Sequence, residues 1–273
     1  MWQVERLICI RKDFPNVFFD KTGTLTEEGL NVLGVRPARV IKGNKAIFGR
    51  FQETCDSMIT KLLIDNEFDY QKSRFYPTIL FHESMAVCHS LEIGKNEKGG
   101  DMFIGDPLEI EMFMFSKWKF IDIPSDNKEI MLTNECPAND KSLRYAIGSI
   151  KMFDFSSKLQ RMSVIIKNRR VNEIKCFCKG SPEKIKELCL PSIVPSNYNE
   201  ILNYYAQQGC RIIALSTKPL TCTYDKAILM QRESLECDLV FLGFLIMQNK
   251  LKEDTGKVIL ELRKAYQVNN GNW

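Results

Sequence analysis

The sequence predicts an α/β domain interrupted by a long α+β insertion whose sheet is antiparallel. Three observations point there. A short apolar strand, Val17-Phe18-Phe19, runs into the loop Asp20-Lys21-Thr22-Gly23-Thr24-Leu25-Thr26; the middle of the chain is dominated by strand patterns; and a second buried strand, Leu239 to Met247, precedes a helix near the C-terminal end. The first and last of these belong to one layer, and what lies between is the insertion. The expected boundaries are 1–34, 35–238 and 239–273.

In order along the chain, Asn16 to Phe19 reads as a buried strand and Leu30 to Val35 as the start of an extended segment. Lys42-Gly43-Asn44-Lys45 has the composition of a hairpin turn, and a short helix is expected around Ser57 to Ile64. Pro77-Thr78 opens a helix in which Leu80, Phe81, Met85, Cys88 and Leu91 recur near the helical period, with Gly94 as its end. After the polar loop Asn96 to Gly100, Gly105-Asp106-Pro107 starts a second helix with Ile110, Phe113 and Met114 on its buried face. Residues 121–142 are rich in Asp, Asn, Lys, Ser and Pro and are expected to be a disordered insert. Three strands follow, Tyr145 to Phe153, Met162 to Ile166 and Val171 to Cys178, the last two joined by a turn at Asn168-Arg169-Arg170. Ser181-Pro182-Glu183 carries a capping hydroxyl, a proline for the first turn and an acid for the helix dipole. Tyr198, Ile201, Leu202 and Tyr205 form a helical stripe closed by Gly209, Arg211 to Thr217 returns as a strand, and Val258, Ile259 and Leu262 share one face of a last helix.

At 273 residues and 44% hydrophobic, the chain can bury one large core or two modest ones. A net charge of +4 from 38 basic and 34 acidic residues provides no basic field for nucleic acid. The longest apolar run, Leu239 to Met247, falls far short of the roughly 20 residues of a spanning helix, so no membrane span is expected. The N-terminus lacks the pattern of a secretory signal. Ten scattered cysteines in apolar company read as reduced thiols. Cys176-Phe177-Cys178 and Cys88-His89 lack zinc-ligand spacing and read as core.

Chemistry enters at Asp20. A carboxylate at the carboxyl end of a buried strand stands where open α/β sheets place their reactions. Gly23 lets the backbone turn closely round a phosphate, Thr22 and Thr24 add hydroxyl and amide donors, and Lys21 adds positive charge, so Asp20 is a candidate nucleophile toward phosphorus. Phosphatases with an aspartyl nucleophile usually carry a second aspartate two positions on, as acid and then base. Thr22 stands there instead, which favours an aspartyl-phosphate that persists and disfavours a soluble phosphatase of the haloacid dehalogenase class.

The run Asp20 to Thr26 resembles the phosphorylation loop of the P-type ATPases, membrane pumps that pass through an aspartyl-phosphate. Four further islands resemble the family's nucleotide-binding domain, in the family's order: Gly105-Asp106-Pro107-Leu108-Glu109; Phe155 to Val164; Lys179-Gly180-Ser181-Pro182-Glu183; and Gly209 to Leu215. The resemblance implies a haloacid-dehalogenase-like (Rossmann-like) phosphorylation domain, here partial, interrupted by the α+β nucleotide-binding domain. It also implies ATP and Mg²⁺ as ligands, with Asp20 as phosphoryl acceptor, and Asp20 and Thr22 as a partial Mg²⁺ site. In the ATP pocket Glu109 would meet the adenine amino group with Asp106 nearby, Phe155 would stack on the ring, and Lys179 would lie beside the base. Gly180 would allow close approach, and Arg211 would pair with the phosphates.

Leu159-Gln160-Arg161-Met162-Ser163 and Met247-Gln248-Asn249-Lys250-Leu251-Lys252 look like the type V pumps; most P-type ATPases show Asp-Pro-Pro-Arg in place of Asn249 to Lys252. Gly105-Asp106-Pro107-Leu108-Glu109 with Met112-Phe113 leans toward group B, linked by resemblance to cation or polyamine transport in endosomal and lysosomal membranes, with this segment on the cytosolic side. The family's Thr-Gly-Asp and Gly-Asp-Gly motifs do not occur before Trp273. The expectation is therefore a fragment or truncated product that binds ATP, holds Mg²⁺ weakly, forms little phosphoenzyme and does not transport by itself. The alternative is an inactive nucleotide-binding or interaction module.

Overall fold

A computed structural model describes residues 21–27, 29–41, 45–56, 77–95, 100–121, 132–135, 146–168 and 173–265. The chain divides into two compact units, residues 31–248 and residues 1–30 with 249–273.

The larger unit is built on a nine-stranded sheet. Its strands are β1 (Asn31–Ile41), β2 (Lys45–Phe48), β5 (Lys119–Ile121), β6 (Leu132–Glu135), β7 (Ala146–Ser156), β8 (Arg161–Asn168), β9 (Glu173–Gly180), β10 (Arg211–Leu220) and β11 (Val240–Gln248). They lie in the order β2-β1-β11-β10-β9-β8-β7-β6-β5, and each neighbouring pair is antiparallel. The antiparallel sheet expected of the insertion is present. A separate hairpin joins β3 (Glu92–Lys95) to β4 (Asp101–Ile104).

The apolar run of β11 is buried because helices cover both of its faces. On one, Phe244 stacks edge-on against Tyr198, ring centroids 4.8 Å apart, within a cluster that includes Ile185, Ile201, Tyr205 and Phe241. These side chains come from α3 (Pro182–Leu188) and α4 (Tyr198–Gln207) as well as the strand. The next residue back, Gly243, points the other way, toward Phe81 of α1 (Pro77–Val87), as alternation along a strand requires. A Cβ on Gly243 would stand 2.6 Å from the Arg36 carbonyl oxygen and 2.7 Å from the Pro37 Cα, at φ +147°. Gly243→Ala should therefore destabilise the unit by about 2–4 kcal/mol, combining overpacking with backbone strain, as chemical denaturation can measure; a loss near zero would mean that β1 moves aside without cost.

Several elements differ from expectation. The run Leu239 to Met247 lies between β1 and β10 as an antiparallel strand of the larger unit, so the unit boundaries fall at 30/31 and 248/249 where the sequence placed 34/35 and 238/239. α1 ends at Val87, and Gly94 belongs to β3, opposite Met102. Residues 78–89 are all buried, so no polar face marks where the helix stops. In α2 (Pro107–Ser116) the buried side chains are Glu109, Met112, Phe113 and Ser116, while Met114 is 57% exposed. Of the stretch 121–142 expected to be disordered, Ile121 belongs to β5 and Leu132–Glu135 forms β6, and the rest lies outside the described residues. Two short helices, α5 (Tyr224–Leu229) and α6 (Arg232–Leu235), were not foreseen. The strand Asn16 to Phe19, the helix around Ser57 to Ile64 and the turns at 42–44 and 169–170 lie outside the described residues.

In the smaller unit, Lys21–Leu25 forms a π-helical turn and Thr255–Ala265 forms α7. No helix among the described residues is long and apolar enough to cross a membrane.

Candidate functional site

Asp106 caps α2, its carboxylate oxygen accepting the Leu108 N–H at 2.8 Å. The first turn then places Glu109 inward, and an acid at that point is buried only because charged and polar partners engage it. Glu109 Oε1 accepts from Lys179 Nζ of β9 at 2.8 Å. Oε2 accepts from the Ser90 backbone N–H at 2.8 Å and the Ser90 hydroxyl at 3.0 Å. Burial alone would raise the Glu109 carboxyl; the Lys179 ammonium, with the Lys179 and Ser90 hydrogen bonds, outweighs it and holds the carboxyl below its ordinary value. A carboxylate offers about four lone-pair positions, and three are taken, which leaves one on Oε1.

This pair sits in the wall of a cavity of about 440 Å³, within the size range of small-molecule sites. The cavity is also lined by Asp106, Phe155, Gly180 and Arg211, so six residues singled out from four separate stretches of sequence come together. Phe155 is 56% exposed, its ring available for contact. Gly180 lies under the Gln160 backbone, where a Cβ would stand 2.5 Å from the Gln160 carbonyl oxygen. The remaining lining, Ser90, Leu108, Asp154, Gln160, Ser181, Ile212 and Ile213, was not singled out. Leu108, Gln160, Ser181, Ile212 and Ile213 lie inside islands already read, so position in an island was the signal available for them. An aromatic face, a nearly saturated carboxylate with one free lone pair, apolar isoleucines and an exposed guanidinium together suit a flat heterocycle bearing an amino group and an anionic tail.

The loop of the smaller unit is held from the segment at 249–255. Gly23, at φ +79°, has its carbonyl bound by Lys252 Nζ. The Leu25 carbonyl accepts from Thr255 Oγ1 at 2.7 Å and from the Lys252 N–H at 3.2 Å. Asn249 Nδ2 donates to the Gly29 carbonyl at 3.0 Å, and Thr26 pairs with Leu251. Asn249 to Lys252 thus fastens the backbone of the loop, a role the sequence did not disclose. Thr24 is exposed. Asp20, and the side chains of Lys21 and Thr22, lie outside the described residues. Among the described residues, no group of three or more His, Cys, Asp or Glu is placed to hold a metal ion. Cys88, Cys176 and Cys178 are buried free thiols, and burial pushes each of them up, Cys88 to about 12.

Residues 78–254 match the family model described as P-type ATPase, cytoplasmic domain N. The chain is 33% identical to the vacuolar cation-transporting ATPase YPK9 of Saccharomyces cerevisiae, over 90% of its own length and 18% of that protein. It is 31% identical to the human polyamine-transporting ATPase 13A3, over 91% and 20%. Against the probable cation-transporting ATPase 13A4 of Gallus gallus it is 35% identical, over 92% and 19%. The chain spans roughly a fifth of the length of these curated relatives.

Proposed function

We propose, for a chain that belongs to the P-type ATPase family, that residues 31–248 are its nucleotide-binding part and hold ATP in the cavity beside Glu109 and Phe155. The observation that carries this reading is the convergence of Asp106, Glu109, Phe155, Lys179, Gly180 and Arg211 on one cavity. Adenine stacks on Phe155, and its amino group donates to the free lone pair of Glu109 Oε1. Lys179 acts on the base through Glu109, which it holds ionised. Gly180 keeps the backbone low beside the base, Asp106 fixes the start of α2, and Arg211 meets the phosphates.

In the whole protein, residues 1–30 and 249–273 belong to the phosphorylation domain. Asp20 accepts the phosphoryl group, with Lys21, Thr22 and Thr24 shaping its site. Mg²⁺, held by the Asp20 carboxylate and the Thr22 carbonyl, would offset charge between nucleophile and γ-phosphate. The parent is a cation- or polyamine-transporting pump of an endosomal, lysosomal or other internal membrane, and this segment faces the cytosol. The transported class follows the names of the relatives; the membrane and the cytosolic side follow the family resemblance and the cytoplasmic-domain model that residues 78–254 match.

Calorimetry of ATP against the wild-type chain and Phe155→Ala tests the reading. Wild type should bind, and the variant should lose about 1–3 kcal/mol, the usual worth of a base stacked on an aromatic ring. Its melting temperature should hardly change, since the ring is 56% exposed. A folded wild-type chain that does not bind ATP overturns the proposal.

A further inference from the structure

We infer that Glu236, which does not line the cavity, is a positioning residue that holds the Phe155-bearing turn in place through Arg161 and Arg232; the inference rests on the nucleotide-binding reading above. Between Phe153 and Ser156 the pairing of β7 with β8 shifts register, so Asp154 and Phe155 are not held by that ladder. The turn that follows is closed internally by the Gln160 N–H on the Ser156 carbonyl at 2.6 Å, with Gln160 in the left-handed region at φ +53°. Its two shoulders are held from outside. Arg232 Nη2 donates to the Asp154 carbonyl at 2.6 Å, immediately before Phe155. Arg161 Nη1 donates to the Leu159 carbonyl at 3.4 Å.

Both guanidiniums are anchored on one carboxylate. Arg161 Nε meets Glu236 Oε2 at 2.5 Å, and Arg232 Nε meets Oε1 at 3.3 Å. Ser163 Oγ adds a third donor to the carboxylate, on Oε1, at 2.8 Å. The Glu236 side chain is 0% exposed. Desolvating a carboxylate and two guanidiniums is costly, and apolar residues would pack β8 against α6 at least as well. What the ionic arrangement adds is direction: each guanidinium uses one edge on Glu236 and another on a carbonyl of the turn. Phe155 is the one large apolar side chain that this turn exposes to the cavity.

The test uses the full 273-residue chain and measures ATP affinity by calorimetry for Glu236→Gln, Arg232→Ala, Phe155→Leu and the two combinations with Phe155→Leu. Amide exchange across residues 154–160 is followed in parallel. Glu236→Gln should weaken ATP binding about tenfold and Arg232→Ala about threefold, the worth of charged hydrogen bonds transmitted through one ring. Either change should add little once Phe155→Leu is present, because the effect passes through that side chain. Exchange should quicken at 154–160 and stay unchanged in α1 and β11. Unchanged affinity in the singles, or losses that add fully with Phe155→Leu, would overturn the inference while leaving ATP binding itself intact. Should Glu236→Gln fail to fold, Arg232→Ala decides alone. A folded wild-type chain without ATP affinity would instead sink the nucleotide reading, and the positioning role with it.

Discussion

Replacing Lys179 by methionine should destabilise the larger unit by about 3–5 kcal/mol at neutral pH, the usual cost of leaving one member of a buried ion pair alone. Lys179 and Glu109 are 4% and 5% exposed and 2.8 Å apart. Methionine conserves the length and much of the volume of the lysine stem, so the loss reports on charge more than on a cavity. Ser90 still gives Glu109 two donors, which keeps the cost near the lower end of that range. The pH dependence identifies the source. In the wild type the Glu109 carboxyl lies below its ordinary value, so its contribution is complete above the unfolded value of 4.5 and is lost as pH falls through the folded one. Without the ammonium, burial acts largely unopposed and raises the carboxyl, so the variant takes up a proton sooner and its deficit shrinks toward acid. The double variant Lys179→Met with Glu109→Gln removes the stranded charge and should recover part of the loss at pH 7. Urea denaturation of the three chains at pH 7 and pH 5 checks this; an equal deficit at both pH values, unrelieved by Glu109→Gln, would mean that the pair is not its origin.

The same pair shows where legibility in the sequence stops. β7, β8 and β9 could be read because β-branched and aromatic residues bounded by turns leave few alternatives, and the N-cap of α2 could be read because capping is decided within three residues. The buried face of α2 could not. Glu109 is inside because Lys179, far along the chain, meets it, while Met114, apolar and on the same helix, is 57% exposed. No local pattern carries that information. β11 was legible as a buried strand, yet its antiparallel neighbours are long-range choices that an apolar run leaves open. In the cavity, residues within motif islands could be named, whereas Ser90 lies between a helix and a hairpin without any motif and is defined only by the carboxylate it binds. Glu236 is a stronger case of the same kind, since its partners come from β8 and α6 and its effect falls on β7.

Between pH 6.5 and pH 4 the larger unit should lose about 5 kcal/mol of stability, roughly half from each of its two histidines. Burial pushes both His82 and His89 down from 6.5 to about 4. The hydrogen bonds show why the neutral ring is favoured. His82 Nε2–H donates to the Ser116 carbonyl at 2.7 Å, and its Nδ1 accepts from the Trp118 indole N–H at 3.4 Å, a group that can only donate. In His89, Nε2–H donates to the Ala86 carbonyl at 2.8 Å and Nδ1 accepts the Leu91 N–H at 3.2 Å. A second proton on either ring would sit on Nδ1, facing a donor, and on His89 it would also add charge near Lys179. The folded values lie below the unfolded ones, so the unfolded chain binds more protons in this window. The contribution is therefore complete above pH 6.5 and lost as pH falls toward 4. These are the only two histidines in the chain, so the double variant His82→Gln with His89→Asn removes all imidazole titration. Its stability between pH 6.5 and pH 5 should be nearly flat, with the remaining acid loss confined to the carboxylate range. An unchanged slope in that variant would show that other groups drive the acid transition. Ser90 and Leu91 follow His89 directly, so the second N–H forced on its Nδ1 opposes the backbone that carries Ser90 to Glu109, and loss of the cavity should accompany this step rather than follow it.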